Sequence, residues 1–138
     1  MPGKSWTRGF EAARVASLHS NAPQTCYRMG AALYAGSILL STGFNIWNKT
    51  TPHSVTDEFN GNTHAEIVAL IRRWHYDKPN NLILYVWRNT TNPKRTHSID
   101  ACSRPCDNCM NLIKLAGVRR IRFYDETGTE TEIKLKEI

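Results

Sequence analysis

The sequence lacks any run of eighteen apolar residues, so no stretch reads as a membrane-spanning helix. Its first ten residues, MPGKSWTRGF, lack the apolar core of a secretory signal. Cysteine is sparse, four residues in 138. The expectation is a soluble intracellular, cytoplasmic protein, where thiols stay reduced. There, clustered cysteines bind metal or do chemistry more often than they form bridges. Internal repeats, low-complexity tracts and domain linkers are also missing, so a single domain over residues 1–138 is expected. Acidic residues are outnumbered 12 to 18 by Lys and Arg, giving a net charge of +6 and a pI near 9.4. That balance favours anionic partners such as nucleotides, RNA or DNA, although many enzymes are this basic.

What is present is enough for a core: 41% of residues are hydrophobic, and their spacing marks regular elements. Residues 5–19 predict a helix with Trp6, Phe10, Ala13 and Ser17 on one stripe, stopped by Asn21 and Pro23. RMGAALYAGSILLSTGFN predicts a hairpin around Ala35-Gly36. Residues 47–63 form a long polar loop. A second helix begins near His64, capped by Asn62 or Thr63, with Ile67, Leu70, Ile71 and Trp74 on its apolar face and Pro79 after it. NLILYVW is apolar on both alternations and predicts a central strand covered on both faces. A basic insertion, RNTTNPKRTHS, follows. A third helix over about 106–116 aligns Cys109, Leu112, Ile113 and Ala116 and stops at Gly117. RRIRFYD places Ile121 and Phe123 inward, with Arg120, Arg122 and Tyr124 outward. It pairs with TEIKLKE as an antiparallel hairpin, because the link is too short for a crossover.

The chemistry lies at two helix starts. NTHAEIVAL supplies His64 and Glu66, and PCDNC supplies Cys106 and Cys109. Cys-x-x-Cys spacing hands two thiolates to one zinc, and a helix N-terminus favours the ligating anion. His64 is the third expected ligand. Three protein ligands leave one tetrahedral position for water, the mark of a catalytic rather than a structural zinc. Glu66, two residues on, is placed to shuttle a proton from that water.

HAE followed by PCDNC resembles the zinc-dependent nucleoside deaminase superfamily, the cytidine and deoxycytidylate deaminases, whose signature is H-x-E then P-C-x-x-C. The order of elements is similar to that family's core over most of the chain. The resemblance implies a three-layer α/β/α sandwich whose five-stranded mixed sheet runs 2-1-3-4-5, with the last two strands antiparallel. It implies a Zn²⁺ hydrolase that attacks C4 of cytosine or C6 of adenine, with His64, Cys106 and Cys109 on the metal and Glu66 moving protons. It further implies substrate contacts from Asn45, Ala65 and Arg104. The closing hairpin is similar to the cytidine-deaminase branch, whereas HAE in place of C-x-E is similar to the tRNA, deoxycytidylate and polynucleotide-editing branches. The leading expectation is deamination of cytosine in a free nucleoside or nucleotide. The alternative is a deaminase of single-stranded DNA, RNA or tRNA, in which Lys94, Arg95 and His97 of the insertion meet phosphate. A homo-oligomer fits either.

Plainer readings stand beside these. Cys102 completes a closed Cys₃His site if the zinc is structural, and the chain is then a binding module without catalysis. Otherwise Cys102 and Cys26 are buried fillers. Glu66 alone reads as a carboxylate complementing a helix dipole, and Asn45 as a turn residue. His53, His75 and His97 read as surface or capping histidines. Arg119, Arg120 and Arg122 read as one solvated strand face. Trp47 and Trp87 read as core or rim aromatics.

Overall fold

The structure is a computed structural model and describes residues 4–20, 28–45, 64–71, 81–89, 104–125 and 127–135. Eight elements follow one another: α1 (Lys4–Ser17), β1 (Arg28–Ala35), β2 (Ile38–Phe44), α2 (Ala65–Ile71), β3 (Leu82–Asn89), α3 (Asp107–Leu115), β4 (Arg120–Tyr124) and β5 (Glu130–Lys134). The expected order of helices and strands is the observed one. Trp74, Pro79 and the expected 47–63 loop lie outside the described residues.

Period-2 alternation divides each central strand between two cores. Ala31 and Leu33 of β1, and Leu82, Leu84 and Val86 of β3, face α2 and α3. Ala32 and Tyr34 of β1, and Ile83 and Tyr85 of β3, face Phe10 and Ala13 of α1. The result is the expected three-layer α/β/α sandwich, with α1 on one face and α2 and α3 on the other. The sheet order is β2-β1-β3-β4-β5. β1 pairs antiparallel with both β2 and β3, β3 pairs parallel with β4, and β4 pairs antiparallel with β5.

The α1 stripe is as its spacing predicts: Phe10, Ala13 and Ser17 are buried and Trp6 is half-buried. The helix ends at Ser17, two residues short of the expected end at His19. The Ser17 hydroxyl bonds back to the Arg14 carbonyl at 2.6 Å, and the N–H groups of Leu18, His19 and Ser20 reach back only three residues. Those tighter turns terminate the α-helical ladder.

Arg122 corrects the reading of a solvated arginine face. Its side chain lies on the α1 face of β4 and is buried, 8% exposed. Its Nε donates to Glu132 at 3.1 Å, one Nη donates to the Tyr85 hydroxyl, and the guanidinium lies 4.6 Å from the Trp6 ring centre. A buried charge persists when it is paired and hydrogen-bonded, and this one is. Tyr124, also expected outward, packs its ring on Phe10 and Trp87. The outward side of β4 is therefore an interior side, because α1 covers it. Trp87 belongs to the same aromatic cluster, on the sheet face away from α2 and α3.

Candidate metal centre and active site

Helices α2 and α3 pack on the same sheet face and bring their first residues together. His64 stands immediately before α2, and its carbonyl accepts from the N–H groups of Ile67 and Val68, each at 3.1 Å. The helical ladder of α2 thus begins at the His64 carbonyl; Asn62 and Thr63, the expected caps, lie outside the described residues. Cys106 caps α3 with extended backbone (φ −70°, ψ 166°), and its carbonyl accepts from Met110 N–H at 2.9 Å. Cys109 is one turn into α3, fully buried in the same core as Ile67 and Ile113.

His64 Nδ1 lies 3.2 Å from Cys109 Sγ and 3.7 Å from Cys106 Sγ. All three ligand atoms fall within 4.8 Å of one another, although 42 residues separate His64 from Cys106. Ordinary Zn–N and Zn–S bonds at tetrahedral angles require about 3.6 Å between nitrogen and sulfur and about 3.8 Å between sulfurs. The two nitrogen–sulfur spacings bracket the first value, and the sulfurs fall within the same 4.8 Å, so this donor set fits zinc. Cys102, whose participation would close the site, lies outside the described residues, as do Cys26, Lys94, Arg95, His97, His53, His75 and Trp47.

The two thiols differ in environment. Cys106 is exposed and Cys109 is buried. A hydrogen bond from Cys109, supported by one from His64, brings the Cys106 thiol down to about 4. Donating that bond, together with burial, pushes the Cys109 thiol up. Without metal the pair therefore carries one thiolate, on Cys106. Iodoacetamide is expected to alkylate Cys106 of the zinc-stripped protein before Cys109. The Cys106 rate should stay level from about pH 8 to 5 and fall only as pH nears 4, where the thiolate gains its proton. Peptide mass mapping across a pH series measures this.

Glu66 is 3% exposed. Burial raises its carboxyl above the usual range, and the Cys106 charge adds to that, while His64 and the backbone act against it. A carboxyl raised in this way exchanges protons nearer neutrality than a surface glutamate does. Ala65 is fully buried between His64 and Glu66, and Arg104 is exposed two residues before Cys106. Asn45 is buried just past β2.

Contacts along β2 locate Asn45. Ser41 Oγ donates to the carbonyl of Ala69 at 2.8 Å, late in α2. Two residues on, a Cβ added to Gly43 would stand 2.5 Å from the Ala65 carbonyl and 2.4 Å from Ala69 N. β2 thus runs toward the start of α2, and Asn45 lies at its His64 end. Gly43 is a site determinant that the sequence reading passed over; a glycine inside a strand pattern is the signal for close backbone approach. Gly43→Ala should destabilise the fold by about 1–3 kcal/mol, because backbone rather than a flexible side chain must give way. It should also weaken zinc binding by displacing His64. Urea unfolding and a competitive zinc titration measure the two effects.

A family model described as the cytidine and deoxycytidylate deaminase zinc-binding region matches residues 6–125. No curated protein matches the chain. Among solved structures, it is similar to cytidine deaminase from Burkholderia pseudomallei, at 19% identity and a TM-score of 0.66, over 93% of this chain and 91% of that one. It is similar to dCMP deaminase from the cyanophage S-TIM5, at 22% identity and 0.59, over 88% and 82%. It is also similar to cytidine deaminase from Mycobacterium leprae, at 19% identity and 0.59, over 92% of each. These likenesses establish the fold, and the family match spans α2, α3 and the residues gathered between them. The chain belongs to the cytidine and deoxycytidylate deaminase zinc-binding family.

Proposed function

We propose that this chain is a single-domain, zinc-dependent hydrolase that converts cytosine to uracil in a free nucleoside or nucleotide. One observation carries the proposal: a buried carboxyl, Glu66, beside three convergent zinc-type donors, His64, Cys106 and Cys109. A purely structural zinc has no use for such a carboxyl.

In this reading His64 Nδ1 and the two sulfurs would hold a zinc ion, which would supply Lewis-acid activation of water. Glu66 takes a proton from the attacking water as the C4–O bond forms, and gives it to the ring nitrogen N3. The same carboxyl then carries the proton of the new C4 hydroxyl to the exocyclic amine, so C4=O forms as the C4–N bond breaks and ammonia departs. The raised carboxyl suits both halves of this exchange, since an acid–base group works best near the operating pH. Asn45, Ala65 and Arg104 contact the substrate, with Asn45 and Ala65 against the buried wall and Arg104 on the exposed side.

The antiparallel closing hairpin β4–β5 supports the free-substrate reading. Related cyanophage dCMP deaminase is described in complex with dCMP and dUMP, which supports a pyrimidine nucleotide. The net charge of +6 favours the second reading, a single-stranded polynucleotide meeting Lys94, Arg95 and His97. A panel of cytidine, deoxycytidine, their monophosphates, adenosine and single-stranded oligomers, read by product mass, separates them. Conversion of a monomer is the expected result. Conversion of oligomers alone selects the second reading.

A further inference from the structure

Strand β2 ends on an exchanged hydrogen bond. Asn45 N–H donates to the Met29 carbonyl at 3.3 Å, as in an antiparallel pair. The regular return bond would run from Met29 N–H to the Asn45 backbone carbonyl. Instead, Met29 N–H donates to Asn45 Oδ1 at 2.8 Å. The backbone carbonyl, displaced from the ladder, accepts from Ser20 Oγ at 2.8 Å. Both residues are buried, Asn45 at 8% and Ser20 at 6% exposure, and a buried carbonyl taken off a ladder needs a new donor.

Ser20 is itself held. Its N–H donates to the Ser17 carbonyl at 3.2 Å, and the neighbouring His19 ring lies 5.9 Å from that of Phe44. The end of α1, a helix on the far face of the sheet, thus grips the residue at the His64 end of α2. Removing the Ser20 hydroxyl takes this donor from the Asn45 backbone carbonyl and shifts the balance toward its ladder partner, Met29 N–H. That return would release the Asn45 side chain from β1 and change its direction.

We propose that Ser20 is a positioning residue. By holding the Asn45 backbone carbonyl away from β1, it keeps the Asn45 side chain in the orientation that meets the substrate. The inference rests on the reading above, in which a cytosine nucleoside or nucleotide contacts Asn45.

The test is steady-state kinetics on zinc-loaded protein, using the best monomer substrate of the panel, for wild type, Ser20→Ala, Asn45→Ala and the double variant. Ser20→Ala should raise KM about fivefold, the scale of one hydrogen bond, with kcat within about twofold of wild type. Its zinc content should be unchanged. In the Asn45→Ala background the same substitution should add nothing, because the side chain it orients is gone. Ser20→Cys, similar in size with a weaker donor, is the second variant and should fall between wild type and Ser20→Ala. An unchanged KM in both variants overturns the proposal. So does an equal effect in the two backgrounds, or a loss of zinc, since either marks a structural role independent of Asn45. An active wild type with any of these results overturns this inference alone. A wild type that converts no nucleobase substrate overturns the functional reading and this inference with it.

Discussion

Glu66→Gln should bind zinc, keep the fold and lose deamination, with kcat lower by about 10²–10⁴-fold, the usual contribution of a positioned acid–base group. Gln keeps the shape and one hydrogen-bonding oxygen of the buried side chain but cannot carry a proton from one atom to another. Glu66→Ala should lose the same activity and leave a small cavity besides. The stability effect has the opposite sign. Burial raises the Glu66 carboxyl in the folded metal-free protein, so the folded state holds a proton that the unfolded chain releases. That contribution is full below the ordinary carboxylate range and is lost as pH rises through the raised value. Gln has no such loss, so metal-free Glu66→Gln should melt at or above wild type at pH 7 and lose that advantage toward pH 4. A residue kept at a stability cost and lost with the activity is what a catalytic role predicts. Single-turnover kinetics, zinc analysis and melting curves at the two pH values cover the three parts.

Removal of zinc should abolish activity and lower the melting temperature by about 10–20 °C. The His64 and Cys106 donors lie at the starts of separate helices, and Cys109 is in the core they share. A metal held there would therefore tie α2 to α3 in the folded chain, with no preformed counterpart in the unfolded one. At zinc a thousandfold above Kd, linkage stabilises the native state by about 4.1 kcal/mol. For a chain of this length each kcal/mol moves the melting temperature by roughly 3–5 °C. Chelator dialysis followed by zinc return, with melting and ammonia release followed in parallel, should restore both. Cys106→Ser should reproduce the zinc-free protein with metal present. If the chelated protein melted where the loaded one does, the donors would not be holding a metal.

The parts of the fold legible in the sequence are those in which local pattern and final environment coincide. The stripe Trp6, Phe10, Ala13, Ser17 has helical spacing, and that stripe faces the sheet. NLILYVW is apolar on both alternations, and β3 is covered on both faces. The candidate metal donors His64, Cys106 and Cys109 were legible because ligand chemistry restricts residue type and spacing at once. Arg122 was not legible in the same way. Alternation along β4 separates its two faces but does not say whether a distant helix covers the polar one, and α1, more than a hundred residues earlier in the chain, does. The double use of His64 was not legible either: it offers a carbonyl to the helix and a ring to the cysteines. Ser20 carries no motif; its bond to Asn45 spans 25 residues and exists only once α1 and β2 are both in place.

The measurement closest to the central claim is ammonia release from cytidine, deoxycytidine and their monophosphates by zinc-loaded wild type, with Glu66→Gln at equal zinc content beside it. The account predicts that wild type converts at least one of them to its uracil product with one ammonia per turnover, and that Glu66→Gln releases ammonia about 10²–10⁴-fold more slowly. Equal release by the two proteins, or none by either across these substrates and single-stranded oligomers, would contradict it.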